Sequence, residues 1–209
     1  MIVWPAGHVN GTSLLVHENF HQWWGDNVSE GNFEMAFSKD GLAVLSQQLD
    51  RAHGWAQRAG GLNTTAGRAA FEQSLVRAFN SLYAIGRSFW KLAPSNRSPA
   101  TYLDVYAAYQ RPEAAYIALR QILGLRGFDA VLHAIQRKYG DSSITEPQLE
   151  AAFTARLPNH TAACQRRLSQ FFSQWFDTAY HGSRPQITGP GQHGHSFYAH
   201  GCAATGGRR

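Results

Sequence analysis

Residues 17–21 read His17-Glu18-Asn19-Phe20-His21, an HExxH pattern inside a run with helical spacing. Two histidines four residues apart lie on one helical face, a single turn from each other. That spacing lets both imidazoles reach one tetrahedral zinc ion at about 2.0–2.1 Å. The glutamate directly after the first histidine falls beside the open coordination position, where it takes a proton from an activated water. The pattern therefore demands a helix here and a third ligand further along the chain.

The flanking residues suit such a helix. Thr12 and Ser13 are N-cap candidates ahead of Leu14, Leu15 and Val16. Phe20, Trp23 and Trp24 continue the apolar side, and Gly25 stands where a C′ residue should stop the helix after about three turns. Trp23 and Trp24 read as apolar bulk packed beside the motif.

The stretch HENFHQWWGDNVS resembles the membrane alanyl aminopeptidase family of gluzincin zinc metallopeptidases. That family continues HExxH with Gln, an aromatic pair, Gly, Asp or Asn, and Val-Ser/Thr. It then places a glutamate ligand in an Asn-Glu-Gly-aliphatic-Ala segment on a second helix. Nineteen residues after His21, Lys39-Asp40-Gly41-Leu42-Ala43 matches that segment, with Asp for Glu and Lys for Asn. Downstream, Tyr109-Gln110-Arg111-Pro112 is similar to the family's Tyr-x-Arg/Lys-Gly segment, which carries a catalytic tyrosine and opens another helix. Gly124-Leu125-Arg126-Gly127-Phe128 and the Phe171–Phe176 run fit the same layout.

The resemblance implies a zinc-dependent hydrolase of peptide substrates, of the aminopeptidase type. His17, His21 and Asp40 would hold one zinc ion, Glu18 would act as general base, and Tyr109 would stabilise the oxyanion. The implied fold is mainly α: the helical portion of a thermolysin-like zincin catalytic domain, lacking its N-terminal sheet.

The chain departs from the family in three places. Asp40 is one methylene shorter than glutamate, so its helix must come closer to the motif helix. Pro112 and Glu113 replace small residues after the tyrosine, and a proline fits the first turn of a helix. The family's Gly-x-Met-Glu-Asn segment, whose glutamate binds the substrate amino group, is not among the sixteen residues before His17. The sequence thus reads as a C-terminal fragment, a truncated gene or a misplaced start. A second functional reading follows: a non-catalytic relative that keeps the scaffold as a peptide-binding or interaction module. A face that has lost its sheet should be apolar, so the expected partners include a missing N-terminal segment or a second copy of the chain.

Composition excludes several other classes. At 209 residues, 44% hydrophobic and 16% charged, the chain is an ordinary globular sequence. No apolar run approaches the ~20 residues of a membrane span. No basic segment followed by an apolar stretch marks a signal peptide, and secreted and cytoplasmic locations both stay open. Net charge is +5, but the arginines are scattered with no aromatic platform between them, which argues against nucleic acid. Two cysteines, Cys164 and Cys202, make no disulfide framework, and their pairing is left open.

Apolar spacing predicts helices over 32–53, 66–85, 110–123, 127–138, 146–157 and 161–179, with no strand of useful length. Thr145 with Gln148 resembles a capping box. The helical body is expected to span residues 1–182. Residues 183–209 hold six of the twenty glycines and read as a poorly ordered tail. Its His193-Gly194-His195 and His200-Gly201-Cys202 tracts are of metal-binding type, though nothing in such a tail would hold a site rigid.

Overall fold

Among the described residues, apolar residues at helical period form six α-helices: α1 (Thr12–Phe20), α2 (Ala36–Arg58), α3 (Thr65–Tyr83), α4 (Arg111–Tyr139), α5 (Glu146–Thr154) and α6 (Ala162–Phe172). The structure is a computed structural model and describes residues 12–95, 98–101, 104–199 and 202. The two helices expected between 110 and 138 form one element, α4, broken at Gly124, where φ is 72° and ψ 164°. The last predicted helix runs as α6 and then widens into a π-helical turn, Ser173–Asp177. Gln148 accepts a hydrogen bond from the Thr145 backbone N–H at 2.9 Å, which caps α5 as the sequence suggests.

Sheet is scarce among the described residues. Strand β1 (Val28–Glu30) pairs in parallel with β2 (Ser142–Ile144), with Val28 opposite Ser142 and Glu30 opposite Ile144. Strands β3 (Ile187–Thr188) and β4 (His195–Ser196) form a second small parallel pair. No described helix is long and apolar enough to cross a membrane.

The segment expected to be a poorly ordered tail is in large part packed onto the helices. Ile187 and Phe197 are buried. Trp175 donates its indole N–H to the Ile187 carbonyl at 2.7 Å, and the Tyr83 hydroxyl donates to the Pro185 carbonyl at 2.7 Å. Cys164 and Cys202 form a disulfide, with their Cα atoms 4.7 Å apart. Glycine and proline content misleads here because a few large anchors, not average composition, decide whether a segment docks. His200 lies outside the described residues.

The core is aromatic. Phe37 of α2 stacks on Phe176 at 4.7 Å, and Trp175 meets Phe79, Trp90 and Phe171 at 5.7–5.8 Å. Aromatic pairs at such separations add about 0.5–1.5 kcal/mol each beyond the area they bury. Arg111 is buried among them and donates to the carbonyls of Leu92, Gln174 and Thr178 at 2.8, 2.9 and 2.6 Å. Burial lowers its pKa to about 10, so it stays charged at neutral pH. It pins the start of α4 to the loop before it and to the turn after α6.

Helix α2 sits between α1, α3 and α4. Its contact with α4 depends on Gly41: a Cβ there would lie 2.4 Å from Pro112 Cβ and 3.1 Å from Tyr116 Cε2. Neither neighbour can step aside, since one is a ring-locked proline and the other a fully buried tyrosine. Gly41→Ala is expected to destabilise by about 1–3 kcal/mol, as overpacked cores do, measured by denaturant unfolding.

Glu113, 5% exposed on α4, carries a buried carboxyl. Burial raises its pKa to about 7, against a pull downward from Arg51. Because the folded pKa lies above the unfolded value, its contribution is fully present below about pH 4.5 and is lost as pH rises through about 7. Glu113→Gln is therefore expected to raise the thermal midpoint at pH 8, by up to about 3 kcal/mol of stability, with no gain at pH 4.

Candidate metal centre

Helix α1 presents His17 inward, with the residue 8% exposed. After Phe20 the helix tightens: Trp23 N–H bonds the Phe20 carbonyl at 3.0 Å and Trp24 N–H the same carbonyl at 3.2 Å. His21 thus stands in a turn that continues the helix, still one turn from His17. Gly25, at φ 125°, reverses the chain, and its N–H bonds the Val28 carbonyl at 2.9 Å. Of the two tryptophans read as packing bulk, Trp24 is buried, whereas Trp23 is 46% exposed, as Leu15 is at 45%.

The imidazoles converge. His17 Nε2 and His21 Nε2 lie 3.2 Å apart. Asp40, 3% exposed on α2, places Oδ1 at 3.5 Å from His21 Nε2 and 3.9 Å from His17 Nε2. All three ligand atoms fall within 4.8 Å of one another, and this is the one such group among the described residues. A tetrahedral zinc with bonds of about 2.0–2.1 Å has ligand–ligand edges of about 3.3–3.4 Å. The observed separations bracket those edges, so the donor set fits zinc. The shorter acid reaches the imidazoles because α2 packs directly on α1.

Outer contacts fix the donors. His21 Nδ1 lies 2.9 Å from the Trp24 carbonyl, which assigns the proton to Nδ1 and leaves Nε2 with a lone pair toward the cluster. Gln47 lies near enough to His17 to act on its ionisation, favouring the charged form. The same Gln47 donates to the Ser13 carbonyl at 2.8 Å, tying α2 to the first turn of α1. Burial lowers the pKa of His17, with the charge of His21 in the same direction, against Asp40, Glu18 and Gln47. A neutral imidazole is the form a metal requires. Burial also pulls His21 down, but hydrogen bonds that its protonated ring donates to Asp40 and to the Trp24 carbonyl, with the charge of Asp40, raise it overall.

Glu18 follows on α1, half-buried, with its charge acting on His17. Tyr109 lies in a π-helical turn, Val105–Gln110, that runs directly into α4. Asp104 caps this turn, accepting from the N–H groups of Tyr106 and Ala107 at 3.0 and 2.9 Å. The Tyr109 ring stacks toward His17 at 6.2 Å and 30°. Residues 92 apart in sequence are thus brought to one place. The expected histidine tracts near the C-terminus gather no second group of this kind among the described residues, and Cys202 is held in its disulfide.

Sequence reading did not single out Gln47 or the Lys39 contacts. Gln47 is seven residues after Asp40, hence on the same stripe of α2 (two turns on), and a polar residue there was the available signal.

Comparison with solved structures places this architecture. The chain shares its fold with M1 zinc metallopeptidases. An M1 zinc metallopeptidase from Deinococcus radiodurans, in a mutant form bound to a Tyr-Ser-Ala substrate, matches with a TM-score of 0.62 and 18% identity over 88% of this chain and 36% of that chain. A two-domain M1 zinc metallopeptidase mutant bound to L-tryptophan matches with a TM-score of 0.60 and 18% identity, over 84% of this chain and 35% of that one. At this identity the likeness is one of fold, and the chain spans about a third of the length of the structures it matches. No protein-family model matches the chain, and no curated protein does.

The purified chain is expected to hold about one zinc ion, lost in His17→Ala, by elemental analysis. A folded, zinc-free wild type after zinc loading would overturn the metal site.

Proposed function

We propose that this chain carries a zinc-dependent peptide-hydrolysing site of the aminopeptidase type. The observation that supports it best is the convergence of His17, His21 and Asp40 with Glu18 and Tyr109 at its edge. In this reading residues 1–182 are the helical portion of a thermolysin-like zincin catalytic domain, and residues 183–209 are an appendage to it.

His17, His21 and Asp40 are the residues that would hold zinc. When bound, zinc supplies Lewis acidity to the attacking water and the scissile carbonyl. Glu18 takes the water's proton as it attacks the peptide carbonyl and later delivers a proton to the leaving amine. Tyr109 donates its phenolic hydrogen to the carbonyl oxygen as negative charge develops there, an interaction stronger in the transition state than in the substrate. Asp104 caps the π-helical turn that carries this tyrosine, and the buried Arg111 anchors the start of α4 just after it, which supports a fixed position for the phenol.

Glu18→Gln is expected to keep zinc and abolish cleavage of an aminoacyl anilide. Tyr109→Phe should keep zinc and lower kcat about 10²–10³-fold, as loss of one oxyanion donor does. Full activity in Glu18→Gln would refute the mechanism.

A further inference from the structure

Lys39 stands immediately before the acidic ligand, and its ammonium lies between two carboxylates. Nζ is 3.5 Å from Asp40 Oδ2 and 3.8 Å from Glu30 Oε1 of β1. All three side chains are mostly withdrawn from solvent, at 23%, 4% and 16% exposure for Lys39, Asp40 and Glu30. Asp40 Oδ2 makes no hydrogen bond, although it is buried. Its other oxygen, Oδ1, is the one turned to the two imidazoles. The two oxygens of one carboxylate are thus divided between a cation on one side and the histidines on the other.

We propose that Lys39 is a positioning residue for the metal ligand Asp40, holding Oδ2 so that Oδ1 alone is offered to zinc. The inference rests on the reading of His17, His21 and Asp40 as a zinc centre. A short carboxylate on a helix has a free χ2 rotation, and nothing in its own length aims one oxygen at the imidazoles. An ammonium on Oδ2 supplies that aim. Ordinarily a cation this near a metal would repel it. Here Glu30 at 3.8 Å offsets the charge of Lys39, so orientation outweighs repulsion. Partners of this kind around ligands typically carry 10–100-fold in metal affinity. Glu30 belongs to β1, which is registered on β2 far along the chain, so the small parallel pair has a use: it fixes the far end of the ion-pair chain.

The test uses the full chain, with zinc affinity read by competition against a chromophoric chelator and the visible absorption of the cobalt(II)-substituted protein as a second readout. Lys39→Met is expected to bind zinc 10–100-fold more weakly than wild type. Its cobalt form should absorb more weakly, because a freed carboxylate binds through both oxygens and raises the coordination number. Lys39→Arg, which keeps a cation and donors, should stay within a few-fold of wild type. Glu30→Gln approaches the same contact from the other side, removes one of the carboxylates that offset the Lys39 charge, and should also weaken zinc. It serves if Lys39→Met loses its helical spectrum. Equal or tighter zinc binding by Lys39→Met, or by Glu30→Gln where the first does not fold, overturns the role of Lys39. If the wild type takes up no zinc, or His17→Ala keeps it, the zinc-centre reading falls and carries this inference with it.

Discussion

The close packing of α2 against its neighbours is the constraint on which the rest of the molecule depends. One helix carries Asp40, whose carboxylate faces both imidazoles, Gln47, which bonds the first turn of α1, and the glycine that lets α4 come into contact. Asp40 reaches the imidazoles only if α2 lies against α1. The tyrosine turn runs directly into α4, and both lie against α2. A side chain at Gly41 would push α4 outward and take the Tyr109 turn with it. Core packing and site geometry are therefore one quantity here, since a densely packed interior passes a displacement on to its neighbours.

Polar groups in the interior extend that argument. Arg111 donates to three backbone carbonyls, one in the loop before α4 and two in and just after the π-helical turn, and the charge of Asp177 also acts on it. Such hydrogen bonds to a charged group are among the stronger ones in proteins. They also join the beginning of α4 to the end of the α6 region, so the aromatic cluster and the tyrosine turn share a fixed frame.

Local signals were legible in the sequence and tertiary ones were not. The HExxH spacing needs only helical geometry, and helical periodicity gave most of the helices to within a few residues. Asp40 was legible through its distance from His21 and its neighbours, which the packing of α2 on α1 then turned into proximity. The Trp24 carbonyl could not be read, because a backbone acceptor leaves no mark in residue identity. The pairing of Lys39 with Glu30 depends on a three-residue strand whose partner lies more than a hundred residues away. In the C-terminal segment glycine and proline weigh heavily in the average, while the docking of its described residues rests on Ile187, Phe197 and Cys202, too few and too irregularly spaced to give a period.

That docking has a consequence for where the molecule can be assembled. The Cys164–Cys202 link closes a loop of 38 residues and joins α6 to the end of the described chain. Thiols are kept apart in compartments poised by glutathione and thioredoxin, and become joined where oxidants prevail. In the first setting, β3 and β4 would be held by their hydrogen bonds and apolar anchors alone. In the second, a covalent tie restricts the unfolded chain and makes the closing of this last segment durable. The redox poise of its surroundings is thus an ingredient of the fold, supplied from outside the sequence.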